Sequence, residues 1–149
     1  MTQTVENVQV LAPGVAAGPE FEHVRAMYAR DEASKGIGLT VTELSTEGAR
    51  GHFTVRPEMC NGHGTAQGGI LFTFADAIFA GVCNASGDTA VASQVGIHYI
   101  SPARVGELVE AEAVNRQTWG RNGVTDVVLR VGDRVVAEFR GTSRVVKGV

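Results

Sequence analysis

A chain of 149 residues has the size of one domain and can bury a core of its own, which argues against two independently folding units. The composition is 44% apolar and 19% charged with a mean hydropathy of +0.04, as in ordinary globular proteins, and the slight apolar excess fits a sizeable contact between subunits. A net charge of −3 with scattered Lys and Arg excludes the basic footprint of a nucleic-acid binder, and no run approaches the ~20 apolar residues of a membrane span, so a cytosolic protein is expected.

Residues 1–19 mix Thr, Gln, Ala, Gly and Pro without period and are expected to form a flexible arm, leaving residues 20–149 as the single domain. From Glu20 to Ala33, apolar Phe21, Val24, Met27 and Tyr28 fall on one face of a helix that the Gly36–Gly38 segment should end. Ile37 to Leu44 and Gly51 to Val55 are β-rich and flank the turn-prone Ser45 to Gly48, an early hairpin.

Asn61 to Gly69 holds four glycines in nine residues and must be a loop. The stretch Ile70 to Cys83 that follows reads as a helix, and its apolar residues cover every side, so it is expected to be buried all round. Beyond it, Val91–Ile100, Glu107–Arg116, Gly123–Val131 and Arg134–Val146 read as four strands of an antiparallel meander, with Asn122-Gly123 and Gly132-Asp133 as tight turns. Helix, two strands, buried helix and then a run of strands make an α+β domain whose sheet wraps the central helix.

Asp76 is the anomaly of the central helix, where Thr73 is its only companion able to make strong polar contacts. An ionised carboxylate away from water costs several kcal/mol unless partners compensate. Burial would also raise its pKa toward that of a useful base. Position alone leaves open the alternative that Asp76 caps a loop or pairs across an interface. Just before the helix, Gly64, Gly68 and Gly69 leave the backbone uncovered, so that the first amides face outward and favour negative charge such as a developing oxyanion.

The stretch NGHGTAQGGILFTFADAIFA, Asn61 to Ala80, resembles the signature of hotdog-fold acyl-CoA thioesterases, specifically the phenylacetate-degradation (PaaI-like) group. HYISPARVGELVEAEA and VAEFRGTSRVV resemble a later strand pair and the closing strand of the same family, which extends the likeness over roughly Ala33 to Val146. The resemblance implies a hotdog fold and hydrolysis of an acyl-CoA thioester, with an aromatic acyl group such as hydroxyphenylacetyl. It further implies that the Gly68 amide polarises the carbonyl, that Asp76 is the base or nucleophile, and that Asn61 orients substrate or water. The accessory hydroxyl that some members carry on the next strand falls near Ala92, with Ser93 adjacent.

Further candidates for substrate contact are Gly69, His63, Gln67 and Thr73 around the motif, and Arg121 at a hairpin tip, where it could meet the phosphates of coenzyme A. Cys60 with His63 lacks an orienting third group, which argues against a thiol nucleophile, and Cys83 fits a core position. No ligand cluster suggests a metal, and no cofactor is expected beyond the coenzyme A of the substrate. At ~1.5 Å per residue, Gly68 and Asp76 stand about 12 Å apart along one helix, so they cannot both touch one carbonyl. A homodimer with two composite sites follows, and the family resemblance adds pairing into a tetramer. The alternatives within the same reading are a medium-chain acyl-CoA or acyl-carrier-protein thioesterase, and a non-catalytic acyl-CoA-binding module.

Overall fold

The computed structural model describes residues 8–147. Its first helical segment is divided where one helix was expected: a 3-10 turn at Pro19–Phe21 leads into α1, Glu22–Ala29, and α2 follows as Glu32–Ile37. The division lies at Asp31, whose side chain accepts a hydrogen bond from the Ser34 amide and so opens a new helix. Gly38 then closes α2 in the left-handed conformation, φ 71°, which a residue without a Cβ adopts freely.

The strands are β1 Thr40–Leu44, β2 Gly48–Thr54, β3 Ala90–Tyr99, β4 Leu108–Trp119, β5 Asn122–Val131 and β6 Arg134–Val145, with the long helix α3, Gly68–Asn84, between β2 and β3. They form one antiparallel sheet in the order β1-β2-β4-β5-β6-β3. The early hairpin is there, with Leu44 opposite Ala49. Only β4-β5-β6 is a meander; β3 lies against β6 at the far edge, Ile97 opposite Phe139. The loop after β3 carries the chain back to the middle of the sheet, held by the bond from the Ala66 amide to the Ala103 carbonyl and by the Thr65–Arg104 bridge. One turn also moves: Trp119 pairs with Asn122, so the β4–β5 turn is Gly120-Arg121, with Gly120 at φ 54°, while Gly132-Asp133 turns as expected.

The sheet wraps α3. Leu71, Phe74, Ala75, Ile78, Phe79 and Val82 of the helix are buried against Val109, Ala111, Val127, Leu129 and Phe139 of the strands. Each large side chain contributes about 1.5–3 kcal/mol through that burial. Close approach depends on glycine at two strand positions: a Cβ on Gly51 would stand 2.6 Å from the Ile78 side chain, and one on Gly141 would stand 2.5 Å from the Phe79 ring. Burial of α3 is incomplete, however, because Gly69, Thr73, Asp76, Ala80 and Cys83, spaced four and three apart, form a stripe that this chain leaves partly or fully open.

Residues 1–7 of the expected arm lie outside the described residues, and its next part is docked. Val10 is buried, Leu11 bridges Val41 in parallel, and the Val41 amide donates to the Val10 carbonyl at 2.7 Å. The segment therefore covers the outer edge of β1.

Candidate active site

Gln67 enters α3 in an extended conformation, and its carbonyl accepts the amides of Ile70 and Leu71 at 2.9 and 3.3 Å. The Gly68 and Gly69 amides precede these first helical bonds and have no acceptor among the described residues. They sit at the positive end of the helix dipole, which suits an oxyanion. A cavity of about 380 Å³ opens there, lined by Asn61, Thr65, Gly68, Leu71, Tyr99 and Ile100. A Cβ on Gly68 would stand 3.0 Å from the Tyr99 ring, so glycine is what fits beneath it; a Cβ on Gly69 would meet nothing within 4 Å.

Asn61 folds the glycine loop around its own carbonyl oxygen. Oδ1 accepts from the His63 amide at 2.9 Å and from the Thr65 amide and hydroxyl, both at 3.3 Å. With the oxygen so occupied, the amide nitrogen is the group left to donate into the cavity. Asp76 lies two turns into α3 on the open stripe, half-buried. Burial pushes its carboxyl above the ordinary value of 3.8, and the charge of Asp31 pushes it further the same way, with no hydrogen bond among the described residues acting in opposition. Asp31 was not singled out in the sequence; its capping pattern, Asp31 three before Ser34, was the available signal.

The remaining candidates divide. Thr73 lies between the helix start and Asp76, and its hydroxyl donates to the Gly69 carbonyl at 2.8 Å. Gln67 is exposed, and so is His63, which meets Asn61 through its backbone amide rather than its ring. Ser93 is the extra residue of a bulge in β3 and donates to the Thr142 carbonyl at 3.1 Å. Arg121 faces a different cavity, with Cys83, Ser86 and Asp88 at the opposite end of α3. Within one chain, then, Asn61 and Gly68 share a wall, Asp76 stands apart along the helix, and Arg121 belongs to neither place. Cys60 reaches the Arg56 carbonyl and burial pushes the Cys83 thiol up, neither of which makes a nucleophile. Among the described residues no group of three His, Cys, Asp or Glu could hold a metal, and no helix is long and apolar enough to cross a membrane.

Comparison with known proteins gives this geometry a context. Residues 63–138 match the Thioesterase superfamily. The acyl-coenzyme A thioesterase PaaI of Escherichia coli (strain K12) is 34% identical over 129 residues, spanning 86% of this chain and 92% of that one. A solved structure of the E. coli PaaI protein superposes with a TM-score of 0.82 at 33% identity, over 87% of this chain and 95% of that chain. A variant of the phenylacetic acid degradation protein PaaI from Thermus thermophilus superposes with a TM-score of 0.75 at 34% identity, over 78% of this chain and 100% of that chain. With the wrapped helix, the sheet order and these matches together, the chain belongs to the thioesterase superfamily and has its hotdog fold.

Proposed function

We propose that this protein hydrolyses acyl-CoA thioesters in a site shared by two copies of the chain, with Asp76 from one and the Gly68 amide from the other. The observation that carries the reading is the Asp76 carboxylate, half-buried on an apolar helix with no hydrogen bond among the described residues to compensate it. A stabilising role within the chain would require such partners. A base that takes a proton from water is served by their absence, since its raised pKa strengthens it.

The two-copy arrangement is supported by the sheet edges. The β1 edge is covered by residues 10–12, whereas β3 pairs with β6 on one side only and exposes Val91, Tyr99 and, just past its end, Ile100. Natural edge strands are usually short or protected; a ten-residue edge that exposes Val91 and Tyr99 beside the open stripe of α3 fits two-fold pairing of β3 with its copy. Such pairing runs the two helices in opposite senses and can bring the helix start of one chain to Asp76 of the other. Pairing of such dimers into a tetramer belongs to the same proposal.

In the proposed step Asp76 takes a proton from water, the hydroxide attacks the thioester carbonyl carbon, and the oxyanion is held by the Gly68 amide with the Asn61 Nδ2 orienting water or substrate. The tetrahedral intermediate then expels the coenzyme A thiolate, which takes the proton back from Asp76. Direct attack by the carboxylate, giving an anhydride that water opens, uses the same groups. No further cofactor takes part. Gly69, Gln67, Thr73 and His63 border the thioester, while Arg121 and Ser93 stand farther off and belong to substrate binding at most. We propose an aryl acyl group, such as a hydroxyphenylacetyl, on the strength of the likeness to the E. coli and T. thermophilus PaaI proteins. Thiol release from phenylacetyl-, benzoyl- and medium-chain acyl-CoA and from acyl-carrier protein tests this. Preference for the aryl esters supports it, preference for an aliphatic chain replaces the substrate, and binding without release of thiol would make the chain a binding module.

A further inference from the structure

We infer that Tyr99 is a positioning residue of this reaction: its hydroxyl polarises the Gly68–Gly69 peptide and so makes the Gly69 amide a second donor to the oxyanion. The inference rests on the reading above, in which the start of α3 holds that oxyanion. Tyr99 ends β3, 31 positions along the chain from Gly68, and its hydroxyl donates to the Gly68 carbonyl oxygen at 2.8 Å. Its ring lies over Gly68 so closely that a Cβ there would stand 3.0 Å from the ring and 3.1 Å from the hydroxyl oxygen. Both residues line the same cavity as Asn61.

The carbonyl that Tyr99 engages belongs to the peptide whose other end is the Gly69 N–H. A hydrogen bond accepted by a peptide oxygen draws density from the nitrogen and strengthens the N–H as a donor, by about 10–30% per bond in condensed phase. Thr73 provides a contrast within the same turn. It donates to the Gly69 carbonyl at 2.8 Å, but that peptide ends at the Ile70 N–H, which is already bonded to the Gln67 carbonyl at 2.9 Å. The Gly69 N–H has no acceptor among the described residues, and space within 4 Å of its absent Cβ is open. Of the two hydroxyls, only that of Tyr99 acts on an amide available to a ligand. The ring adds a second effect: packed on the Gly68 Cα from a strand of the sheet, it fixes the orientation of the peptide before substrate arrives.

Tyr99→Phe keeps the ring and removes the donor. Loss of a direct oxyanion donor costs ~10²–10³ in kcat; a donor acting through the peptide should cost a fraction of that, and we expect kcat to fall about 3- to 10-fold with KM within about twofold. The Gly69 amide proton, followed by ¹H–¹⁵N correlation spectroscopy, should move upfield, and the melting temperature should stay close to wild type. Fluorinated tyrosines at this position, being more acidic donors, should move the Gly69 resonance the opposite way. An unmoved Gly69 resonance in Tyr99→Phe overturns the inference whatever the activity, and so does a changed KM with kcat intact. A wild-type protein that releases no thiol from any ester overturns the thioesterase reading instead, and the amide shift still decides the polarisation.

Discussion

Replacing Asp76 by Asn should make the protein a worse enzyme and a more stable one. The amide is nearly the same shape but can neither accept the proton of water nor carry charge. General-base removal costs about 10²–10⁴ in rate, so kcat should fall at least 10²-fold. The stability change follows from the surroundings of the carboxylate: burial and the Asp31 charge both disfavour its ionised form, and no hydrogen bond among the described residues opposes them. What Asn removes is the charge: an ion away from water without partners costs several kcal/mol, and for a half-buried, solvent-screened group we take about 0.5–1.5 kcal/mol, or about 1–6 °C in melting temperature at this chain length. The folded-state pKa is raised, so the penalty is fully present above that pKa, fades as pH falls through it, and is gone below the ordinary 3.8, where both states are protonated. The Asn variant should therefore melt higher than wild type at pH 7, with the gap closing toward pH 3.8. Paired melting curves across that range and thiol-release kinetics measure both effects. A variant that melts no higher at pH 7, or keeps kcat within tenfold of wild type, would refute the reasoning.

Two other perturbations test neighbouring parts of the account. Asp31→Asn keeps a side chain able to cap α2 but removes the charge that helps raise the Asp76 pKa, so the acid limb of kcat/KM should shift to lower pH; a limb that stays in place or moves up would contradict the coupling. Asn84 is buried at the end of α3, where Oδ1 accepts the Ala90 amide at 3.0 Å and lies 3.0 Å from the His23 Nε2, and Nδ2 donates to the carbonyls of Ala80 and Ala90. Asn84→Ala strands the Ala90 groups and should cost about 2–3 kcal/mol, read as a shifted denaturant midpoint, while a shift below about 0.5 kcal/mol would show that the site relaxes.

Much of this was legible in the residues, for identifiable reasons. The Ile70–Cys83 run reads as a buried helix because nothing polar but Thr73 and Asp76 interrupts it, and Asp76 stands out for the same reason. The alternation of β5, with Gly123, Thr125, Val127 and Leu129 buried in turn, comes from one covered and one open face. What stayed hidden depends on contacts distant in sequence. β3 has little inside–outside pattern, because most of its residues are exposed in one chain, so its place beside β6 could not be read from its residues. Apolar spacing in Phe21, Val24, Met27 and Tyr28 carries no mark of the Asp31 break, which needs a capping reading instead. Val10 and Leu11 lack a period because they pair with a single residue of β1. Tyr99 was legible only as a residue of the Val91–Ile100 strand; its bond to Gly68 is a product of the wrapped sheet.

The central claim is that each site takes its carboxylate and its amide from different chains, and complementation tests it most directly. Asn61→Asp, on the same wall as Gly68, keeps the oxygen that holds the glycine loop and replaces the amide nitrogen offered to the cavity by a carboxylate oxygen. Co-expressed one to one with Asp76→Asn, it should form mixed dimers in about half of the assemblies, each with one fully intact site of two. Two nearly inactive parents should thus yield about a quarter of wild-type thiol release. Activity no higher than the parents', from dimers shown to be mixed, would place both groups in one chain and contradict the account.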